Sequence, residues 1–375
     1  MSIRKRRLIA WGILAVAAVL LAGFWGPQDA ARPARAQVDE GEIVVIEEGL
    51  APVDAGFAEA NGARLWYEVY GEGEPLLLIS GLGGNHLGWA DQVPVYASEF
   101  EVIVFDNRGT GQSSFPEGVD LTMPLLADDP AALLDALAVD AAHVYGVSMG
   151  GMIAQEMALR HPEKIRSLIL GCTTPGGPQS VPAQQWAVEA LFAAGEQGIA
   201  DSGILEVMFS PGYLAEHRSE VIEGFESLAD YPATPAEVFA AQIQAIGGHD
   251  TYDRLPGITA PTLVLHGADD PLVPTANGRI LAERIPGAEL VLLEGARHGY
   301  FIEKQAETDA VVLDFLRVPS WEAAVPAPAM PAAGSNGLLA KEKSGVATWW
   351  YALAAGGALL VMVGLAGLST ARSRR

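Results

Sequence analysis

The chain has 375 residues, half of them hydrophobic, enough for one large buried core or two small ones. Its formal charge is −23. Seven of its 23 basic residues lie at positions 4–7 and 372–375, so the stretch between them carries 16 basic against 46 acidic residues. That balance argues against a nucleic-acid partner and against charge-driven docking on anionic lipid. A single cysteine, Cys172, leaves no intramolecular disulfide and no cysteine-based metal cluster.

Arg4-Lys5-Arg6-Arg7 precedes eighteen uncharged, mainly apolar residues, Leu8 to Trp25. This is the charge pattern of an export segment over residues 1–36, with Ala34-Arg35-Ala36 as the candidate cleavage site. The run is long and the site distant from its end, so a removed signal peptide and a retained signal anchor both fit. Residues 37–56 are acidic and mixed and read as an exposed lead-in.

Phe57 to Ala60 and Arg64 to Tyr70 flank Asn61-Gly62, a strong hairpin signal. Pro75 to Ser80 is a continuous apolar run of the kind buried on both faces of a sheet, and it ends in Gly81-Leu82-Gly83-Gly84. Glu101 to Phe105 is the next such strand and leads into Asp106-Asn107-Arg108-Gly109-Thr110-Gly111-Gln112-Ser113. Ala127 to Ala138 has leucines at helical spacing. Ala142 to Val147 is again a strand, and Gly146-Val147-Ser148-Met149-Gly150 follows at its end. An Ala/Met-rich helix begins at once and stops at His161-Pro162. Ile165 to Leu170 is another buried strand, with Cys172 beyond it as a small core residue. Strands alternating with helices predict an α/β fold with a mostly parallel sheet.

From Thr173 to about Asp250 no buried strand is apparent. Trp186, Leu191 and Phe192, then Val238, Phe239, Gln242, Ile243 and Ile246, fall on helical spacing, which predicts a helical cap over residues 173–250. Such caps supply much of a substrate pocket. Strands resume at Pro261 to His266 and Ala288 to Leu293, and Phe301 to Leu316 closes a core made of 57–172 and 251–318. Residues 319–345 are a Pro/Ala-rich linker. Val346 to Leu368 is 23 residues without a charge, opened by Trp349, Trp350 and Tyr351 and followed by a basic tail, 369–375. That length predicts a transmembrane helix with an aromatic belt and a cytoplasmic C-terminus, with the globular part of the chain facing outward.

Gly-x-Ser-x-Gly between an apolar strand and a helix is the pattern of a nucleophile elbow, in which a sharp turn lifts the serine from the end of a sheet. With the glycine loop after the third strand, the Asp269-Asp270 turn and His298 in the loop after the last strand, the sequence from Phe57 to Val318 resembles the α/β-hydrolase fold family. The overall look is similar to carboxylesterases, enol-lactonases and cofactor-free haloperoxidases. Serine at 148, where epoxide hydrolases and haloalkane dehalogenases place aspartate, argues against those two groups.

The resemblance implies a Ser148–His298–Asp270 triad, with Asp269 as the competing carboxylate, and an oxyanion hole formed by the backbone N–H groups of Leu82 and Met149. Many relatives carry His-Gly where this chain has Ser80-Gly81, which puts in question how the loop is held. His86 is at most a pocket residue on this reading. Trp89, Met149 and Met152 are either an acyl pocket or core packing, and Asp106 and Arg108 are structural. The expected function is a membrane-tethered serine hydrolase acting on a small-molecule carboxylic ester, thioester or lactone. It needs no cofactor and no metal; no zinc motif or phosphate loop occurs. The alternatives are perhydrolysis at the same triad and a non-catalytic surface binding module.

Overall fold

Asn61 and Gly62 both adopt positive φ, 47° and 73°, the backbone that a tight two-residue hairpin requires. The hairpin joins β1 (Asp54–Ala60) to β2 (Ala63–Tyr70) and starts a sheet that continues through β3 (Glu74–Ile79), β4 (Phe100–Phe105), β5 (Ala142–Val147), β6 (Ile165–Gly171), β7 (Thr262–Gly267) and β8 (Glu289–Leu293). The spatial order is β1-β2-β4-β3-β5-β6-β7-β8. β2 runs antiparallel to both neighbours, and every pair from β4 through β8 is parallel. The structure, a computed structural model, describes residues 50–227 and 231–318. The stretches read from the sequence as export segment, most of the lead-in, linker, transmembrane helix and basic tail all lie outside the described residues. No helix among the described residues is long and apolar enough to cross a membrane.

The apolar runs are continuous because the sheet is covered on both faces. Leu76, Leu78, Val102, Val104, Tyr145, Val147 and Ile169 belong to one core cluster. Leu77, Ile79, Ile103, Phe105, Val144, Leu168 and Leu170 belong to the other. Alternate side chains of a strand point to opposite faces, so each strand feeds both clusters. The second cluster lies under α2 (Met123–Ala136) and α3 (Met149–Arg160), and the first under α1 (Val93–Tyr96) and the C-terminal helices.

Several boundaries differ from the sequence expectation. β1 begins at Asp54, inside the stretch read as lead-in, because the hairpin register pairs Asp54 with Val69. Gly56 and Asp54 carry no apolar signal, so pairing with β2 decides that extension. α2 starts four residues earlier than its leucines suggested. Thr122 caps it by accepting the Leu125 N–H, and Pro124 suits the first turn.

Between β6 and β7 lie α4 (Gln185–Gln197), α5 (Ile204–Met208), α6 (Pro211–Ser227) and α7 (Ala236–Gly247). Gly176 and Asp250 form an isolated bridge at the base of this insertion. Phe209, Leu214, Val221 and Phe225 join the first core cluster, whereas Ala245 of α7 joins the second. The insertion therefore straddles the edge where the parallel strands end. The chain closes with α8 (Ala276–Arg284), α9 (Tyr300–Glu303) and α10 (Gln305–Leu316).

Candidate active site

β5 passes into α3 through one residue, Ser148, at φ 56° and ψ −120°. A non-glycine residue there is strained, and such backbone persists only where the surroundings hold it. Here they do. The Ser148 N–H donates to the Gly171 carbonyl at 2.8 Å, and the Ser148 carbonyl accepts from the Gly151 N–H and from Thr173 Oγ1. A Cβ on Gly146 would collide with the Gly150 carbonyl, and one on Gly150 with the Ile79 carbonyl. Both glycines are thus required by close backbone approach. Ser148 remains partly exposed while Met149 and Gly150 beside it are buried.

Asp270 follows β7 and is buried. Its Oδ1 accepts the N–H groups of Leu272 and Val273, both at 2.9 Å, and its Oδ2 lies 2.7 Å from Nδ1 of His298, in the loop after β8. Burial alone would raise the Asp270 carboxyl. The charge of His298 and hydrogen bonds from His266 and His298 outweigh it and hold the group down at about 2. An ionised carboxylate can only accept, so Nδ1 of His298 carries a proton, which leaves Nε2 as the ring nitrogen not engaged by Asp270. Asp269 is exposed; its backbone N–H donates to the Ala296 carbonyl. The structure therefore brings Asp270 and His298 into direct contact. No hydrogen bond joins Ser148 Oγ to His298 among those of the described residues; the bond between a nucleophile and its base often tightens only in the complex with substrate.

The loop after β3 passes over Ser148. A Cβ on Gly81 would lie 3.2 Å from Ser148 Cβ and 3.8 Å from Oγ. Leu82 comes next, and Gly83 turns the chain at φ 67°. Ser80, standing where many relatives have histidine, donates its hydroxyl to the Asn85 carbonyl at 2.8 Å, and Asn107 Nδ2 donates to the Ser80 carbonyl at 3.0 Å. Those two bonds hold the base of the loop. Met149 opens α3, where the first N–H groups of a helix have no intrahelical acceptor. Ser148, Leu82, Asp270 and His298 all follow parallel strands and so share one edge of the sheet.

A family model described as "alpha/beta hydrolase fold" matches residues 74–305. The chain belongs to the α/β-hydrolase fold family. The 3-oxoadipate enol-lactonase 2 of Acinetobacter baylyi is 32% identical over 256 residues, which is 67% of this chain and 93% of that one. RutD of Azorhizobium caulinodans, a protein to which carbamate hydrolysis is ascribed, is 32% identical over 250 residues, 65% of this chain and 91% of its own. Among solved structures, the enol-lactonase from Burkholderia xenovorans LB400 is 31% identical, with a TM-score of 0.60, covering 70% of this chain and 99% of its own.

Burial decides two readings that the sequence left open for this hydrolase. His86 is no pocket residue: it is fully buried, its Nδ1 2.8 Å from Asp106 Oδ1 and its Nε2 3.3 Å from Glu68 Oε1. Burial opposes its charge, but the carboxylates of Asp106 and Glu68 prevail and push the imidazole up to about 10. Trp89, Met149 and Met152 are buried core, with the Trp89 ring against Tyr145 and Phe301. Arg108, read as structural, is buried and donates to both oxygens of Asp129.

Cys172 is likewise core, its thiol raised well above its usual range by burial. Among the described residues no group of three or more His, Cys, Asp or Glu is arranged to hold a metal ion. The residues missed by sequence reasoning are Tyr231, Thr234 and the exact role of Gln242, which contact the loops after β3 and β4 from the cap side. Only the apolar spacing around Gln242 was visible in advance.

Proposed function

We propose that this chain is a serine hydrolase that cleaves a small-molecule carboxylic ester, thioester or lactone through an acyl-enzyme. The observation that carries the reading is the pairing of a strained, partly exposed serine at a strand–helix turn with a buried Asp270–His298 pair at the same sheet edge. Ser148 Oγ attacks the carbonyl carbon and passes its proton to His298 Nε2. The N–H groups of Leu82 and Met149 stabilise the resulting oxyanion. Collapse breaks the bond to the leaving group, which takes the proton from Nε2. Water then gives a proton to His298 and attacks the acyl carbon; a second collapse frees the acid and restores Ser148.

Asp270 keeps Nδ1 protonated and stabilises the imidazolium that forms at each step. The enol-lactonases among its relatives support a lactone or ester, and RutD makes a carbamate the related bond to test beside them. The C-terminal apolar segment would tether the enzyme at the membrane with its hydrolase domain outside the cytoplasm.

The test is fluorophosphonate labelling of the wild type and Ser148→Ala. Label on the wild type alone, followed by turnover of esters and lactones varied in acyl length, is the expected result. A folded wild type that takes no label would sink the mechanism and bring a non-catalytic binding role forward.

A further inference from the structure

Gly83 stands one residue beyond Leu82, at the tip of the loop that passes over Ser148. Both of its backbone groups are taken by side chains from the cap. Its N–H donates to Gln242 Oε1 at 2.8 Å, and its carbonyl accepts from Thr234 Oγ1 at 2.9 Å. Both side chains are fully buried. Because Gly83 presents a donor there, the amide orientation of Gln242 is forced, with oxygen toward the loop. The opposite end of that amide, Nε2, has no partner. A buried glutamine with half of its hydrogen-bonding capacity unmet is a poor stability element, since an unmet buried donor is destabilising. What it does provide is one fixed acceptor at one point of the loop.

The neighbours of Gln242 make the same connection. Phe239, one turn earlier on α7, packs against the Leu82 side chain. Val238 lies against Gly109 in the loop after β4, where φ is +80° and a Cβ would come within 2.8 Å of the valine. Tyr231 donates to Asp106 Oδ2 at 2.7 Å and meets the His86 ring edge-on, with centroids 5.4 Å apart. Residues 231–242 thus grip the loops after β3 and β4 at several points, and two of those grips fall on the residue next to Leu82.

We propose that Gln242 and Thr234 are positioning residues that hold the Leu82 N–H in register with Ser148 by clamping both backbone groups of Gly83. The proposal rests on the serine-hydrolase reading and extends it: the cap sets the geometry of the oxyanion hole as well as walling the pocket. A donor is effective only when aimed where the oxyanion will form, and small misplacement of such a group is costly in rate. The effect belongs to the transition state, so it falls on kcat and not on KM.

The experiment uses the full-length chain with p-nitrophenyl acetate as substrate and phenylboronic acid as a tetrahedral-adduct inhibitor. Gln242→Met keeps length and removes the acceptor; Thr234→Val keeps shape and removes the donor; Thr234→Ser restores it. Expected are a kcat lowered about tenfold or more in Gln242→Met and Thr234→Val, with KM within about twofold. Boronate affinity should weaken in parallel, and Thr234→Ser should recover most of the loss. Should Gln242→Met fail to fold, the valine–serine pair at 234 decides. Unchanged kcat in folded variants, or equal losses in Thr234→Val and Thr234→Ser, would overturn the clamp alone. A wild type that neither takes a fluorophosphonate nor turns over ester overturns the serine-hydrolase reading and the clamp with it.

Discussion

Adjacent carboxylates at 269 and 270 occupy very different environments. Asp270 is enclosed, accepts two backbone N–H bonds and touches His298, whereas Asp269 is open to solvent. Replacing Asp270 by Asn would present an amide to Nδ1 and favour the wrong tautomer of His298. Asp270→Asn should therefore lower kcat roughly a thousandfold or more, and Asp269→Asn should leave it within about twofold. Steady-state turnover of an ester by both variants checks this, and a large loss in Asp269→Asn would refute it. The same group shapes acid stability. Its folded value, about 2, lies below the ordinary 3.8, so its contribution is complete above about 4 and is lost as pH falls toward 2. Acid unfolding of the Asp270→Asn variant should show a shallower decline over that window.

Loops at this sheet edge are joined to each other by buried polar groups. Glu68 from β2, His86 from the loop after β3, Asp106 after β4 and Tyr231 from the cap side meet in one buried cluster. Tyr70 and Trp66 supply further donors to Glu68. His86→Leu would strand two carboxylates without their cation, which typically costs about 3–5 kcal/mol. A large drop in denaturant midpoint is expected, and a change below about 1 kcal/mol would contradict the cluster's role. Since His86 is pushed up from 6.5 to about 10, its stabilisation is present below pH 6.5 and disappears as pH rises through about 10. The elbow glycines act differently, through backbone contact alone.

The acidic hydrolase domain and the uncharged end segments make different demands on solvent. No described helix is long and apolar enough to span a bilayer, so tethering through a helix depends on the segments at 8–25 and 346–368. We predict that the full chain stays with membranes through an alkaline carbonate wash, while a chain ended at Val318 and lacking residues 1–36 is released. Release of the intact chain would refute the tether. External protease should reach the hydrolase domain and leave the C-terminal tail protected; the reverse pattern would invert the orientation.

Much of this fold is legible in one dimension because its causes are local. Burial on both faces writes continuous apolar runs into β3 through β7, a hairpin turn demands Asn61-Gly62, and a tight strand–helix turn demands Gly146 and Gly150. The order of glycine loop, Ser148, Asp270 and His298 likewise follows the strands that carry them. Other features are decided only when distant segments meet. His86 looks like a loop histidine until Glu68 and Asp106 close on it, and Gln242 and Thr234 give no hint of Gly83, 159 and 151 residues away. Hydrophobic periodicity reports which face of an element is buried. It carries no record of which polar group across the core receives a hydrogen bond, because that partner is chosen by the packing of whole elements.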